Sequence, residues 1–387
     1  MIVIADDITG AAELAGIAFD HGQTVRLLCG CPIDCDTVAA CGTTVIATDT
    51  RSMTEAGAAA ETRRLVEVWK EQDCPSISQS FNFFLFKKTD SALRGHVVAE
   101  LQALMEATGY RRAVYLPANP SKGRIIRDGV YYIREVSDER LEVRDVPIHE
   151  TAFSYDPEFP ARTSVLKERF PDAGAKGIIM PDAESEDDIR RVIAQYDDGQ
   201  TLFAGAADLF TALLEVQIRQ DADTPHSSFP IPPLEHTLIL CGSTQSKPLD
   251  IGIPVVPMPR AVYDGEQTAA DWLSAITPQL SAATSLILTI PHTHRTGKAI
   301  AVHLRTVMAE MARLLVTTKY PLLLEGDKGR LHLIIEGGAT AWATLQALGW
   351  TEFEIQRQVA PGVVQMSATN GTLVTLKPGS YPWGGLF

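Results

Sequence analysis

Short apolar runs alternate with longer amphipathic stretches along most of the chain. In the first third, apolar runs occupy residues 2–5, 44–47, 83–86 and 113–116. A buried parallel strand reads as a continuous apolar run, whereas the helices between strands repeat apolar residues every three or four positions. The alternation therefore predicts successive β-α-β units, and hence parallel sheets covered by helices.

The alternation breaks over residues 221–236, where proline and polar residues show no periodicity, and it restarts at the apolar run 238–241. A chain of 387 residues also exceeds what one hydrophobic core usually supports. We therefore predict an α/β fold of two domains, each a mainly parallel sheet flanked by helices. The predicted boundaries are 1–220 for the first domain, 221–236 for a linker and 237–387 for the second domain.

The charge composition of the chain disfavours two classes of binding partner. Lys and Arg number 34 against 48 Asp and Glu, which gives a formal net charge of −14. Such a surface repels nucleic acid and anionic lipid, so we expect neither a nucleic-acid nor a membrane partner. No apolar run approaches the roughly 18 residues of a membrane span, and no signal-peptide pattern opens the chain. We expect a cytoplasmic protein with a small-molecule ligand, and homo-oligomer formation stays open.

Two groups of residues invite a metal interpretation. Four of the six cysteines fall at positions 29, 31, 35 and 41, but they lack the paired C-x2-C spacing of structural zinc sites. His292 and His294 alternate in a loop, and no third ligand is evident near them. Reduced thiols and a solvated histidine loop are the favoured interpretations, so the metal ligands stay unknown.

Polar clusters follow the predicted strands of the first half, at residues 6–7, 49–52, 87–95 and 119–124. Ligands of open α/β sheets bind outside the carboxyl ends of the strands. Arg can grip a carboxylate with two hydrogen bonds, and Asp can accept hydrogen bonds, or a proton, from hydroxyl groups. The mixture suits a small polyhydroxy anion, although each cluster alone could be a solvated loop or a helix cap.

Glycine-containing turns follow the predicted strands of the second half, at Gly242, at Gly337-Gly338 and at Gly379. Glycine lets backbone N–H groups approach a phosphate, and a helix N-terminus favours an anion. Neither the P-loop nor the dinucleotide fingerprint is present in its full spacing. A nucleotide site in this half would therefore be of another kind.

Motifs across nearly the whole chain resemble those of the four-carbon acid sugar kinases. In the first half they are ADDITGA at 5–11, DTRS at 49–52, KTDSALRG at 88–95 and PANPSKGR at 117–124. In the second half they are GSTQ at 242–245, GGAT at 337–340, APGV at 360–363 and KPGSY at 377–381.

The resemblance implies an N-terminal domain that binds the acid sugar and a C-terminal domain that binds ATP, with the active site in the cleft between them. Such kinases use ATP to phosphorylate threonate, erythronate or 3-oxo-tetronate, and we expect Mg²⁺ as a further cofactor. The implied catalytic residues are Asp6, Asp7 and Asp90, with the choice of base among them open. The implied substrate-binding residues are Asp6, Arg51, Lys88, Thr89, Asp90, Ser91, Arg94 and Arg124. The implied ATP-binding residues are Ser243, Gly337, Gly338, Ala339, Thr340 and Gly379.

Three departures from the family pattern motivate an alternative. Ala339 stands where the family has an acid, Ala92 stands where it has Thr, and the loop 377–381 is altered. The alternative function is a non-catalytic acid-sugar-binding sensor derived from such a kinase. An oxidoreductase on a similar acid is disfavoured because the dinucleotide fingerprint is missing.

Overall fold

The computed structural model describes residues 1–30, 41–71, 84–136, 143–156, 158–218, 236–242, 249–280, 284–295, 297–320, 331–379 and 383. Two compact units divide the chain, one formed by residues 1–14 and 32–224, the other by residues 15–31 and 225–387. Residues 15–31 thus group with the second unit, whereas the predicted first domain included them. The predicted linker lies outside the described residues except for position 236, and the domain boundaries stay a prediction.

The strands of both units are taken here in chain order. They are β1 (Ile2–Ala5), β2 (Val25–Cys29), β3 (Thr43–Ala47), β4 (Leu85–Lys88), β5 (Arg112–Leu116), β6 (Arg124–Arg127), β7 (Val130–Val136), β8 (Val143–Pro147), β9 (Ile178–Ile179), β10 (Thr201–Gly205), β11 (Thr237–Cys241), β12 (Val255–Pro257), β13 (Leu286–Thr289), β14 (His332–Glu336), β15 (Glu352–Ala360), β16 (Val363–Ala368) and β17 (Leu373–Lys377).

Helices separate most of the parallel strands. They are α1 (Ile8–Asp20), α2 (Glu55–Glu71), α3 (Val97–Thr108), α4 (Leu166–Arg169), α5 (Glu186–Tyr196), α6 (Ala207–Ile218), α7 (Arg260–Asp264), α8 (Ala269–Leu280), α9 (Lys298–Thr318) and α10 (Gly338–Leu348). None of the helices in the described ranges combines the length and the apolar character needed to cross a membrane.

The first unit is built on a parallel sheet of order β3-β1-β4-β10-β5-β9. Helices α2 and α3 pack against each other, as do α5 and α6. Strands β6, β7 and β8 form a separate antiparallel sheet. Because the strands of the large sheet are parallel, the residues that follow them emerge at one edge.

One predicted boundary in this sheet is wrong. The apolar run 83–86 was expected to end before Lys87 and Lys88, but both lysines belong to β4 and both are buried. Lys87 can lie in the core because its ammonium group pairs with the buried Glu100 at 2.5 Å. Side chains alternate along a strand, so Lys88 points to the opposite face, where it approaches Glu13 at 3.7 Å.

The second unit has a mixed sheet of order β12-β13-β11-β14-β17-β16-β15-β2. Its first five strands are parallel neighbours, whereas β16 runs antiparallel to β17 and β15, and β15 runs antiparallel to β2. The pairing of β2 with β15 explains why residues 15–31 group with this unit. Helix α9 packs against α8 and α10. The predicted class, two α/β parts with mainly parallel sheets and flanking helices, is confirmed.

Gly205, at the end of β10, provides a test of this packing. An ideal Cβ at this position would lie 2.1 Å from the carbonyl oxygen of Leu116 and 3.0 Å from Leu209 Cδ2. Backbone of the neighbouring strand cannot move aside, so Gly205→Ala should lower the free energy of unfolding by about 3 kcal/mol. Urea unfolding followed by circular dichroism would measure the loss.

Gly174→Ala is the matched control for Gly205→Ala. An ideal Cβ at Gly174 meets nothing within 4 Å, and the backbone there does not have a positive φ. Its stability should therefore equal or slightly exceed that of the wild type. Equal stabilities of the two variants would contradict the described close approach of β10 and β5.

Candidate functional site

Asp6 and Asp7 occupy the junction between β1 and α1, as predicted, but their side chains do different things. Asp7 caps the helix: its Oδ1 accepts the Gly10 N–H at 3.0 Å, and its Oδ2 accepts the Thr9 hydroxyl. Both oxygens of Asp6 instead accept hydrogen bonds from Arg51. Of the two acids, only Asp7 acts as a helix cap, which was the alternative to a role in the site. Asp6 forms an ion pair with Arg51 instead.

Arg51 is the centre of the cluster. Its Nε and Nη2 donate to Asp6 at 2.8 and 2.9 Å, and Nη2 also donates to Asp7 Oδ1 at 3.0 Å. Its Nη1 lies 3.7 Å from Asp90 Oδ1. The short 3₁₀ turn Thr50–Ser52, which follows β3, carries this arginine to the end of β1. The structure thus gathers the three predicted catalytic acids around one guanidinium.

Asp90 is held by Arg94 as well. The Nε and Nη2 groups of Arg94 donate to the two carboxylate oxygens at 2.9 Å each, and the Ala92 N–H donates to Oδ2 at 2.9 Å. Arg94 Nη1 lies 3.5 Å from Asp156. Such a bidentate pair fixes both the position and the orientation of the carboxylate.

Lys88 lies beside the same cluster and reveals a residue that the sequence analysis missed. Its Nζ donates to the Thr89 carbonyl at 2.8 Å and approaches Glu13 at 3.7 Å, while Lys122 forms a second ion pair with Glu13. Glu13 lies on α1, three residues after Gly10. Helical spacing places those two residues on neighbouring positions of one face, and this spacing was the signal that could have identified Glu13.

Ser91 and Arg124 are also brought together. Arg124 Nη1 donates to the Ser91 hydroxyl, and its guanidinium lies 5.6 Å from the centre of the Phe153 ring. Tyr131 donates its hydroxyl to the Ser91 carbonyl, which ties the loop 89–95 to β7. Thr89 is buried at the start of the same loop. The predicted substrate-binding residues therefore belong to one connected polar region of the first unit.

Burial and ion pairing divide the three acids by pKa. Burial raises the pKa of Asp6, and its pair with Arg51 only partly offsets that effect. Burial would also raise the pKa of Asp7, but Arg51, the Thr9 hydrogen bond and Lys88 outweigh it and lower the pKa. For Asp90, Arg51 and Arg94 overcome burial and hold the pKa well below its usual range. Asp7 and Asp90 are therefore fully ionised at neutral pH.

A 320 Å³ cavity lies close to this cluster but is distinct from it. It is lined by the first turn of α3 together with Glu55, Phe159, Arg169 and Lys176. Among the described residues, none of the predicted substrate-binding side chains lines it. Gly95 lines the cavity and is also close to the acids, since an ideal Cβ there would lie 3.1 Å from Asp6 Oδ2.

Glycine turns in the second unit meet at the carboxyl edge of its parallel strands. The Gly242 N–H donates to the Glu336 carbonyl at 3.2 Å, and the Gly337 N–H donates to the Lys377 carbonyl at 2.9 Å. Gly337 has a φ of 95° and immediately precedes α10. An ideal Cβ at Gly242 would lie 2.1 Å from Thr340 Oγ1. The backbone of residue 242 thus lies so close to the Thr340 side chain that the position requires glycine.

A buried ion pair supports the same edge. Lys377 Nζ donates to Glu336 Oε1 at 2.5 Å, and these residues are register partners on β14 and β17. Ala339 is exposed in the first turn of α10, Thr340 is buried, and Gly379 follows Lys377. The edge therefore brings together the predicted nucleotide-binding residues Gly337, Gly338, Ala339 and Thr340, while Ser243 lies outside the described residues.

Neither metal interpretation gains support from the structure. His294 Nε2 lies 2.9 Å from Asp264 Oδ1, and the ring packs on Tyr263 with centroids 4.7 Å apart. Within the described ranges, no group of three or more His, Cys, Asp or Glu residues could hold a metal ion. Cys241 carries a free thiol, and Cys29 and Cys41 are the other described cysteines, whereas residues 31, 35 and 74 lie outside the described part.

Comparison with known proteins assigns each half of the chain to a domain family. Residues 1–174 match the sugar-binding N-terminal domain family, and residues 245–381 match the nucleotide-binding C-terminal domain family. The two matches agree with the predicted division of binding between the halves.

Curated relatives with kinase names align over most of the chain. A D-threonate kinase of Cupriavidus necator is 26% identical over 396 residues, covering 94% of this chain and 89% of that protein. A 3-oxo-tetronate kinase of Burkholderia multivorans is 23% identical, covering 93% and 89%. A 3-oxo-tetronate kinase of Brucella melitensis is 32% identical, but that match covers only 38% of this chain and 32% of that protein.

Two solved structures have the same fold. A Salmonella typhimurium protein superposes with a TM-score of 0.71 at 19% identity, covering all of this chain and 97% of that chain. A Haemophilus influenzae protein superposes with a TM-score of 0.65 at 19% identity, covering all of this chain and 98% of that chain. At such identities the likeness establishes the fold only.

Asp90→Asn tests the electrostatics of the acid cluster. Because the pKa of Asp90 is lower in the folded chain, its ionised form stabilises the fold above the unfolded pKa, and this contribution fades as the pH falls. The variant should lose about 3 kcal/mol at pH 7, where Arg94 is left without its anion, and less at about pH 3.5. Urea unfolding at both pH values measures the difference.

Asp187→Asn is the control for that experiment. Asp187 pairs with Arg190 on the surface of α5, and its side chain is 85% exposed. Exposed ion pairs contribute little, so its effect should be small at both pH values. If the loss of unfolding free energy caused by Asp90→Asn grew as the pH fell, that result would contradict the lowered pKa of Asp90.

Proposed function

The chain belongs to the family that joins a sugar-binding N-terminal domain to a nucleotide-binding C-terminal domain, the four-carbon acid sugar kinases, and we propose that it phosphorylates a hydroxyl group of a four-carbon acid sugar with ATP. The substrate hydroxyl oxygen attacks the γ-phosphorus, the bond to the β,γ-bridging oxygen breaks, and ADP leaves. Threonate, erythronate and 3-oxo-tetronate are the candidate acceptors. The kinase names of the aligned relatives support the reaction class.

The observation that carries this function is the cluster of three carboxylates around Arg51 in the sugar-binding unit. Carboxylates accept hydrogen bonds from sugar hydroxyls, and neighbouring cations supply attraction for the acid group. Arg51 Nη1 keeps donor capacity, since its approach to Asp90 is 3.7 Å long, and the buried Lys88 adds positive charge beside the same acids. In this assignment Arg51, whose side chain is 16% exposed, holds the substrate carboxylate, and Lys88 attracts it from beneath the surface.

Exposure separates the roles of the three acids. The side chain of Asp7 is 17% exposed, that of Asp90 is 10% exposed, and that of Asp6 is 3% exposed. Asp7 and Asp90 can therefore meet substrate hydroxyls, while Asp6 orients Arg51. The pKa values of Asp7 and Asp90 are both lowered, so exposure decides between them. Asp7, the most exposed of the three acids, is the proposed acceptor of the hydroxyl proton, and Asp90, fixed by Arg94, orients the acceptor sugar.

The glycine edge of the second unit fits a nucleotide. Gly242 lets the end of β11 approach the first turn of α10, and the N-terminus of α10 can offer backbone N–H groups to a phosphate. Gly338, Ala339, Thr340 and Gly379 extend the same surface. Mg²⁺ is usually bound by ATP phosphates with one or two carboxylates, so it needs no cluster of protein ligands. Positioning and charge neutralisation are what phosphoryl transfer demands of such residues.

A coupled assay of ADP release tests the reaction directly. The purified chain is mixed with Mg-ATP and, in turn, with threonate, erythronate and their 3-oxo and 2-oxo relatives. We expect ADP release that depends on one of these sugars, and that sugar is then the substrate. Thermal stabilisation by a sugar with no ADP release from any of them would instead identify the sensor.

Gly242→Ala tests the nucleotide edge separately. Its Cβ would collide with Thr340, so the first turn of α10 must shift away from β11. We expect the KM for ATP to rise about tenfold or more, as when one charge-assisted contact is lost, while the KM for the sugar stays near the wild-type value. Steady-state kinetics with each substrate varied in turn measures both constants.

Thr344→Val is the control on the same helix. Thr344 is buried one turn further along α10, and its hydroxyl has no hydrogen-bond partner among the described residues. Its KM for ATP should match the wild type. A Gly242→Ala variant with an unchanged KM for ATP would remove this edge from the nucleotide site.

A further inference from the structure

Glu100, a residue outside every predicted motif, joins several segments that carry the acid cluster. It lies on α3 and is buried, and its Oε2 accepts a hydrogen bond from Lys87 Nζ at 2.5 Å. The same oxygen accepts the Thr50 hydroxyl at 2.8 Å and, at the longer distance of 3.5 Å, the Thr62 hydroxyl. One buried carboxylate therefore ties together β4, the 3₁₀ turn after β3, and α2.

The residues bound by Glu100 are chain neighbours of the site residues. Thr50 precedes Arg51, and Lys87 precedes Lys88. The Thr50 hydroxyl also lies 2.9 Å from the Thr48 hydroxyl, which in turn donates to the carbonyl of Ala5, immediately before Asp6, at 2.9 Å. The buried network thus reaches the chain neighbours of Asp6, Arg51 and Lys88.

The turn that carries Arg51 needs such support. Asp49, which precedes it, has a φ of 52°, in the left-handed region that residues with a side chain seldom adopt. A conformation of this kind persists where surrounding contacts fix it. On one side Ser52 donates its hydroxyl to the Asp49 side chain at 2.6 Å, and on the other Thr50 donates to Glu100.

Stability alone does not account for a charged network in this position. A buried Lys–Glu pair gains little over well-packed apolar residues of the same volume, because both charges lose their hydration. Each member must also be satisfied by a partner, as Lys87 and Glu100 are. What such a network adds is a fixed geometry for the segments that it joins.

We propose that Glu100 is a positioning residue of the acid-sugar site. Through Thr50 it holds the turn Thr50–Ser52, and thereby places the Arg51 guanidinium against Asp6, Asp7 and Asp90. The described contacts support the placement of Arg51 by Glu100. The expected effect on enzyme kinetics rests on the proposed function, because it concerns how well the placed Arg51 binds the substrate carboxylate.

The decisive variants alter Thr50 rather than Glu100. Replacing Glu100 would leave the Lys87 charge buried without a partner, and loss of folding would hide any effect on the site. Thr50→Val keeps the shape and removes the hydroxyl, while Thr50→Ser restores a hydroxyl at the same position. Thr62→Val removes the longer contact to the same carboxylate, on a helix that carries no predicted site residue.

Two readouts separate positioning from a general structural effect. In steady-state kinetics, Thr50→Val should raise the KM for the acid sugar about tenfold, on the scale of one lost hydrogen bond to a charged group, with the KM for ATP unchanged. In labelling with phenylglyoxal followed by mass spectrometry, Arg51 of Thr50→Val should react faster than in the wild type. Thr50→Ser and Thr62→Val should resemble the wild type in both measurements.

The outcomes are distinct. Faster labelling of Arg51 only in Thr50→Val supports the positioning role, even if the wild type phosphorylates none of the sugars tested, in which case the proposed function alone fails. Equal labelling and equal kinetics of Thr50→Val and Thr62→Val would overturn it. A raised KM in both valine variants, with equal losses of thermal stability, would also overturn it, since that pattern reports a general loss of packing.

Discussion

The first unit depends on neutralising buried charge at the ends of its parallel strands. Asp6, Asp7 and Asp90 could not remain ionised together in a buried region without Arg51, whose guanidinium contacts two of them by hydrogen bonds and approaches the third. Arg51 in turn is delivered by a turn that other buried contacts hold. Strand order, the turn after β3 and the loop after β4 are therefore arranged around one cation, and the polar region that the sugar would meet is a consequence of that arrangement.

The second unit meets the same constraint with a different pair. Glu336 and Lys377 are register partners on adjacent parallel strands, and their buried ion pair lies next to the glycine turns at Gly242 and Gly337. Backbone N–H groups supply the partial positive charge there, so the turns can attract a phosphate without exposed lysines. The two units would therefore attract anions in different ways. The first unit would use side-chain cations that lie among acids, and the second would use backbone amides and a helix N-terminus.

Local patterns in the sequence were sufficient for the fold class and for the position of the acid pair at a strand end. The apolar run 2–5 followed by Asp6 and Asp7 predicted a strand that delivers carboxylates to a helix start, and the structure has that arrangement.

Lys87 and Lys88 were misplaced because a lysine in the sequence indicates a loop until its partner is known. The partner of Lys87 is Glu100, on a different element, and only the folded chain brings the two together. Glu13 was missed for a related reason, since its role emerges from Lys88 and Lys122, far along the chain. The grouping of residues 15–31 with the second unit likewise depends on the pairing of β2 with β15. Local periodicity determines strands and helices, but long-range pairs determine which charged residue can be buried.

The departure at Ala339 bears on the choice between kinase and sensor. Ala339 is exposed in the first turn of α10, where an acidic side chain would favour the helix but would also repel a phosphate bound to the same turn. Its replacement by alanine leaves the backbone N–H groups of the turn available, so anion binding at this edge does not require the missing acid. Transfer demands more than binding, because charge that develops on the phosphoryl oxygens must be neutralised while the acceptor hydroxyl is held in line. A kinase and a sensor built on this chain would therefore share both proposed anion-binding surfaces. They would differ in whether the acceptor hydroxyl is held and deprotonated, which the proposed function assigns to Asp7 and Asp90.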